Sequence, residues 1–223
     1  VVEVEGTPII ILFMKGEIKM TRFRIFTDGG AFKKEDGKSF TGVSSYCVYK
    51  NDDEKPIIER TVIHENGTNN YSEIFAIASA LKEIYEYIKV GEFDNYQIEV
   101  YSDSMWCIKS LTVWIWNWLK NSKPGGVLIN SMKQKVANQE LIKEAFYYLQ
   151  QFKSKCKIYF INSHQPESKV AEQYKKFKKD NNVDITLEDF IFAYLNNANR
   201  DKAIKEAYKK LTEQSTENNE NDK

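Results

Sequence analysis

The chain has no excess of charge of either sign: Lys plus Arg is 32 and Asp plus Glu is 32 in 223 residues. That excludes a uniformly basic nucleic-acid binder and leaves open only a local basic patch. Cysteine is scarce. Cys47, Cys107 and Cys156 are far apart and lack the short paired spacing of a zinc site, so a disulfide scaffold is excluded and reduced thiols in a cytoplasmic protein are expected. No long apolar run is present. Pro8 to Met14, the most apolar stretch, falls well short of the roughly 20 residues that span a bilayer. It also lacks the cationic start and cleavage site of a secretory signal, so a soluble protein is expected.

What is there suits one globular domain: 42% hydrophobic and 29% charged residues, with enough length for a sizeable core. The first nineteen residues are unlike the rest. Lys15-Gly16-Glu17 can be encoded by a ribosome-binding sequence at a suitable distance before Met20. In a bacterial or phage gene, translation is then expected to start at Met20, with 1–19 a non-native extension.

From Arg22 the pattern is regular. Phe23, Ile25 and Thr27 alternate with Arg24, Phe26 and Asp28, a strand ending at Gly29-Gly30. Val43 to Tyr49 and Ile57 to Ile63 are rich in β-branched and aromatic residues around the turn Asn51-Asp52-Asp53, which gives a three-stranded antiparallel meander. Apolar residues then recur at three and four from Ile74 to Ile88, so Tyr71 to Lys89 is a helix stopped by Gly91. Gln97 to Tyr101 reads as a strand, Ser104 to Leu119 as a helix, Gln139 to Phe152 as a helix and Lys157 to Asn162 as a strand. Further on, Leu187 to Leu195 and Asp201 to Leu211 are the best helical segments, and Thr212 to Lys223 reads as a disordered tail. The order implies an α/β fold, a five-stranded mixed sheet flanked by helices.

Four acids stand at the junctions: Asp28 ends the first strand, Glu73 opens the first helix, Asp103 ends the fourth strand and Asp201 begins the last helix. Remote carboxylates can converge at one edge of a sheet. Clustered, they repel one another unless cations sit among them, and oxygen ligands suit Mg²⁺ or Mn²⁺. Each acid also has a structural explanation: a turn for Asp28-Gly29-Gly30, a capping box from Asn70 to Glu73, an N-cap for Asp103 and a helix-dipole role for Asp201.

The ordered set resembles the type 1 ribonuclease H family. The matching pieces are Ile25 to Gly30, Thr68-Asn69-Asn70-Tyr71-Ser72-Glu73, Val100 to Ser104, the Trp114–Trp118–Lys120 helix, Val136 to Leu141, Ile161-Asn162-Ser163-His164, and Asn197 with Asp201. The resemblance implies a ribonuclease H-like fold and cleavage of the RNA strand of RNA–DNA hybrids with two Mg²⁺ ions, for which Mn²⁺ can substitute, giving 5′-phosphate and 3′-hydroxyl ends. Asp28, Glu73, Asp103 and Asp201 would hold the metals, and His164 would move a proton or help product leave. Asn69, Asn70 and Asn138 would read the hybrid's minor groove. A stretch with Lys120, Lys123, Lys133 and Lys135 but no acid is either a solvated loop or a grip on the DNA phosphates, and Trp116 either supports that loop or touches the DNA backbone.

Two departures stand out. Arg200 replaces the family's alanine before Asp201, and 37 positions separate His164 from Asp201 where the family has a short loop. Residues 165–195 are thus an insertion, expected to be helical, and Asp184, Glu188 and Asp189 compete with Asp201 for the fourth position. A lysine run at 175–179 is an exposed helix face or an extension of the binding surface. A DNA-directed nuclease of the same fold and a catalytically silent nucleic-acid binding module are the alternatives. No obligate protein partner is evident.

Overall fold

The computed structural model describes residues 20–34, 37–122, 125–163 and 165–221. Strand β1 (Thr21–Lys33) pairs antiparallel with β2 (Phe40–Lys50), which pairs antiparallel with β3 (Ile58–Glu65). Helix α1 (Asn69–Val90) crosses back, so β4 (Tyr96–Ser102) lies parallel on the other side of β1, and β5 (Cys156–Phe160) parallel beyond it. The five-stranded sheet therefore has the order β3-β2-β1-β4-β5, with β1 central.

The alternation read in β1 is a two-sided burial. Phe23 and Ile25 join Ile74, Ile77, Leu81 and Ile84 of α1 in one core. Phe26 enters a second core on the opposite face with Tyr101, Tyr159, Phe177 and Phe190. Full burial of each such side chain contributes roughly 1.5–3 kcal/mol, so both faces matter to stability. The first core also takes residues from α4 (Gln139–Phe152), which packs beside α1.

The second core is completed by the chain that follows β5. Helix α5 (Val170–Asn181) supplies Phe177, and the first turns of α6 (Leu187–Asn221) supply Phe190, Ala193 and Tyr194. Asn181 fastens α5 to the sheet by accepting from the Phe160 N–H and donating to the Phe160 carbonyl, at 2.8 and 2.9 Å. At the far end of β1, Arg22 and Arg24 bind Asp189 at 2.9 and 3.3 Å, and Arg24 lies 4.0 Å from the Phe192 ring centre.

Several local expectations need correction. β1 does not stop at Gly29-Gly30 but runs to Lys33. The N-cap of α1 is Thr68, whose hydroxyl accepts from the Tyr71 N–H at 3.3 Å, so Asn70 and Glu73 form no capping box. Ser104, not Asp103, caps α2 (Met105–Lys109). A π-type segment, Ser110–Trp114, links α2 to α3 (Ile115–Lys120). Asp201 lies in the middle of α6, which is one helix rather than two, and the stretch from Thr212, expected as a tail, continues it to Asn221. Spaced Lys–Glu pairs such as Lys209–Glu213, 3.6 Å apart, favour helix in a segment with no apolar stripe. The expected extension at 1–19 lies outside the described residues. Among those described, all three cysteines are free and no helix is long and apolar enough to cross a membrane.

Candidate active site

Asp28 and Asp103 come together through strand register. The last parallel pair of β1 and β4 is Thr27 with Ser102, so the residue after each is an aspartate and the two stand side by side, about one strand spacing of 4.8 Å apart. Glu73 is added by the close descent of α1 onto the sheet. A Cβ on Gly29 would lie 2.2 Å from the Glu73 nitrogen, a distance no side chain tolerates. A Cβ on Gly42 would meet the Ser72 hydroxyl oxygen at 2.5 Å. Gly29 is therefore present for backbone approach, not for a turn.

One carboxylate oxygen from each of Asp28, Glu73 and Asp103 lies within 4.8 Å of the others. Asp28 and Glu73 are buried. Asp28 accepts from the Gly29 N–H at 2.7 Å. Burial and the charges of Asp103 and Asp201 nevertheless push its carboxyl up to about 8, against the opposing Gly29 bond and Lys205. Burial, then Asp28 and Asp103, raise Glu73 well above the usual carboxylate range, with a hydrogen bond from Asn69 opposing.

The donor set fits a hard divalent cation. All contributors are carboxylate oxygens, and Glu73 Oε2 is buried without a hydrogen-bond partner, a costly arrangement that a cation would relieve. Asp28, Glu73, Asp103, Asn69 and Asp201 line one pocket of about 390 Å³. A larger groove, about 790 Å³ between α1 and β2–β3, is lined by Tyr46, Ile58, Tyr87 and Phe93 and contains none of the converging acids.

Asp201 reaches this pocket from α6, and its Oδ2 accepts from Lys205 Nζ at 2.6 Å. Its competitors lie elsewhere: Asp184 pairs with Lys178 at 2.6 Å, Asp189 with Arg22 and Arg24, and Glu188 adjoins Asp189 in the first turn of α6. Asn197 and Ser163, which the sequence offered only as parts of matching segments, tie the helix that carries Asp201 to β1 and to the segment after β5. Asn197 is buried, donates to the Thr27 carbonyl at 3.0 Å and accepts from the Ser163 hydroxyl at 2.7 Å. The available signal was its position one helical turn before Asp201.

Beside the acids, Asn69 lines the pocket and Asn70 is exposed at the start of α1. Asn138 has left-handed backbone (φ 55°) and makes no capping bond. It shares a groove of about 410 Å³ with Tyr71 and Lys135. Trp116 is 56% exposed, edge-on to Phe146 with ring centres 5.2 Å apart, while Trp118 packs against the core. Lys120, Lys133 and Lys135 are exposed; Lys123 and His164 lie outside the described residues. Ser102, Ser104 and Gln139 serve the fold, accepting from the N–H groups of Ser104, Cys107 and Leu128. His64 is also structural. The Ser44 hydroxyl donates to the Ser72 carbonyl, so His64 Nε2, 2.8 Å away, donates to Ser44.

A family model described as RNase H matches residues 20–182. A ribonuclease H of Treponema denticola is 32% identical over 126 residues, 54% of this chain and 73% of that protein. A ribonuclease H of Orientia tsutsugamushi is 33% identical over 118 residues, 53% of this chain and 58% of that one. In shape, the crystal structure of the prototype foamy virus protease–reverse transcriptase matches with a TM-score of 0.50 at 19% identity, over 74% of this chain and 21% of that one. That last likeness is one of fold.

Proposed function

Because the chain belongs to the ribonuclease H family, we propose that it is an endoribonuclease that cleaves the RNA strand of RNA–DNA hybrids with two divalent cations. The observation that carries this is the convergence of Asp28, Glu73 and Asp103 oxygens within 4.8 Å, with Asp201 on the same pocket. Asp28, Glu73 and Asp103 would hold one ion; Asp28 and Asp201 would hold the other. Bound Mg²⁺ supplies an activated water and neutralises charge on the leaving oxygen.

The chain's own residues orient and exclude. Asp28 and Glu73, buried and rigidly backed by β1 and α1, hold their oxygens in fixed positions, which reduces the reorganisation needed during reaction. Asn69, Asn70 and Asn138 are assigned to the 2′-hydroxyl side of the minor groove. The exposure of Asn70 and the absence of a capping bond from Asn138 support that reading. Lys120, Lys123, Lys133, Lys135 and Trp116 are assigned to the DNA strand, and His164, which follows Ser163, to proton transfer or product release. The products would carry 5′-phosphate and 3′-hydroxyl ends.

The test is a gel assay with labelled hybrid, duplex DNA and duplex RNA, with Mg²⁺ and with chelator. Cleavage of the hybrid's RNA strand alone, abolished by chelator, is expected. Preferred cleavage of duplex DNA, or binding without cleavage in either metal, would overturn the proposal.

A further inference from the structure

Three of the acids are seated by backbone: two by adjacent strands and one by a helix resting on Gly29. The fourth depends on where α6 lies, and α6 is reached from β5 only through α5. We propose that Arg200 and Tyr208 are positioning residues that set how Asp201 is presented to the other three carboxylates. This inference deepens the functional reading above and rests on it.

Arg200 precedes Asp201, and consecutive helical residues point about 100° apart. While Asp201 lines the pocket, Arg200 reaches away from it to the outer strands. Its Nη2 binds Glu59 Oε1 of β3 at 2.7 Å, and its Nη1 meets the Ser45 hydroxyl of β2 at 3.5 Å. The contact therefore fixes the rotation of α6 about its own axis. As a stabilising device it is a poor one: Arg200 is 5% exposed and its Nε is buried without a hydrogen-bond partner. An apolar residue would fill the site at lower cost.

Tyr208 lies seven residues beyond Asp201, about two turns along the same face. Its ring stacks on Phe32 with centres 4.0 Å apart and planes 6° from parallel. Phe32 is four residues beyond Asp28 on the same strand and lines the same pocket. This stack fixes the tilt of α6 over β1. The two contacts lie on opposite sides of Asp201 along the helix and constrain different motions.

The full chain is compared with Glu59→Gln, Arg200→Met, Tyr208→Ala and Tyr208→Phe for hybrid cleavage, thermal unfolding and Mg²⁺ binding by calorimetry without substrate. Glu59→Gln, Arg200→Met and Tyr208→Ala are expected to remain folded and to lower kcat about ten-fold, as a small misplacement of a reacting group does. KM should hardly change, and Mg²⁺ binding should weaken. Tyr208→Phe, which keeps the stacked ring, should restore both values. Unchanged Mg²⁺ affinity and kcat in folded Glu59→Gln and Tyr208→Ala would overturn the inference, as would equal losses in Tyr208→Phe and Tyr208→Ala. A wild-type chain that binds Mg²⁺ but cleaves no hybrid would instead refute the functional reading, and the binding measurements would still decide this one.

Discussion

The side-chain amide of Asn197 donates to the backbone carbonyl of Thr27 at 3.0 Å. The bond joins the helix that carries Asp201 to the strand that carries Asp28, one residue from each acid's own element. Asn197 is 1% exposed. Asn197→Ala strands the Thr27 carbonyl and the Ser163 hydroxyl, at a cost of about 1–3 kcal/mol. Asn197→Asp puts an oxygen against the Thr27 carbonyl and should cost more. Urea unfolding of the two variants checks the order.

Gly29→Ala tests the seating of Glu73. The new methyl carbon would overlap the Glu73 nitrogen, 2.2 Å away, and helix backbone cannot swing aside as a flexible side chain can. A loss of about 1–3 kcal/mol or more is expected, with a fall in hybrid cleavage larger than that of equally destabilised core variants. Denaturant melts and cleavage rates on the same samples provide the comparison.

The raised Asp28 carboxyl predicts a pH dependence of stability. It moves from about 3.9 unfolded up to about 8 in the cation-free folded chain. Between those values the folded chain holds the extra proton, so this contribution is complete at low pH and is lost as pH rises through the folded value. Glu73 shifts in the same direction. Chelated protein should therefore lose stability from pH 5 to pH 8. Mg²⁺ should raise the melting temperature more at pH 8, by at least about 3 °C, the equivalent of roughly 1 kcal/mol in a domain of this size. Asp28→Asn should flatten both trends in calorimetric scans.

Replacing Lys120, Lys123, Lys133 and Lys135 with alanine should raise KM and leave kcat nearly unchanged. Each lost phosphate contact should reduce the log–log salt slope of binding by roughly 0.9. Hybrid binding measured across a salt series reads this directly, and an unaltered slope would remove the patch from the interface.

Much of this site is legible in the sequence because Asp28, Glu73 and Asp103 each sit in a short, ordered segment whose secondary structure is local. The rest depends on tertiary contacts. Gly29-Gly30 has the composition of a turn, yet the strand continues, because the demand on Gly29 comes from a helix more than forty residues away in the chain. Asn70 and Asp103 are good capping residues by type, but Thr68 and Ser104 are the ones at the capping geometry. Asp184, Glu188, Asp189 and Asp201 cannot be ranked by spacing. Arg22 and Arg24, far along the chain, engage Asp189, and Lys178 on the neighbouring helix engages Asp184, which leaves Asp201 at the pocket. The second core was hidden for a similar reason: Phe177, Phe190 and Tyr194 are sparse in a polar stretch and gain their meaning from Phe26, Tyr101 and Tyr159 on the sheet.

The most direct measurement of the central claim is the Mg²⁺-dependent cleavage rate of a labelled RNA–DNA hybrid by the wild-type chain and by Asp28→Asn, with folding verified by circular dichroism. The account predicts a wild-type rate abolished by chelator and a folded variant slower by about a hundred-fold or more, corresponding to the several kcal/mol that metal catalysis supplies. A folded Asp28→Asn chain that cleaves the hybrid at nearly the wild-type rate would contradict it.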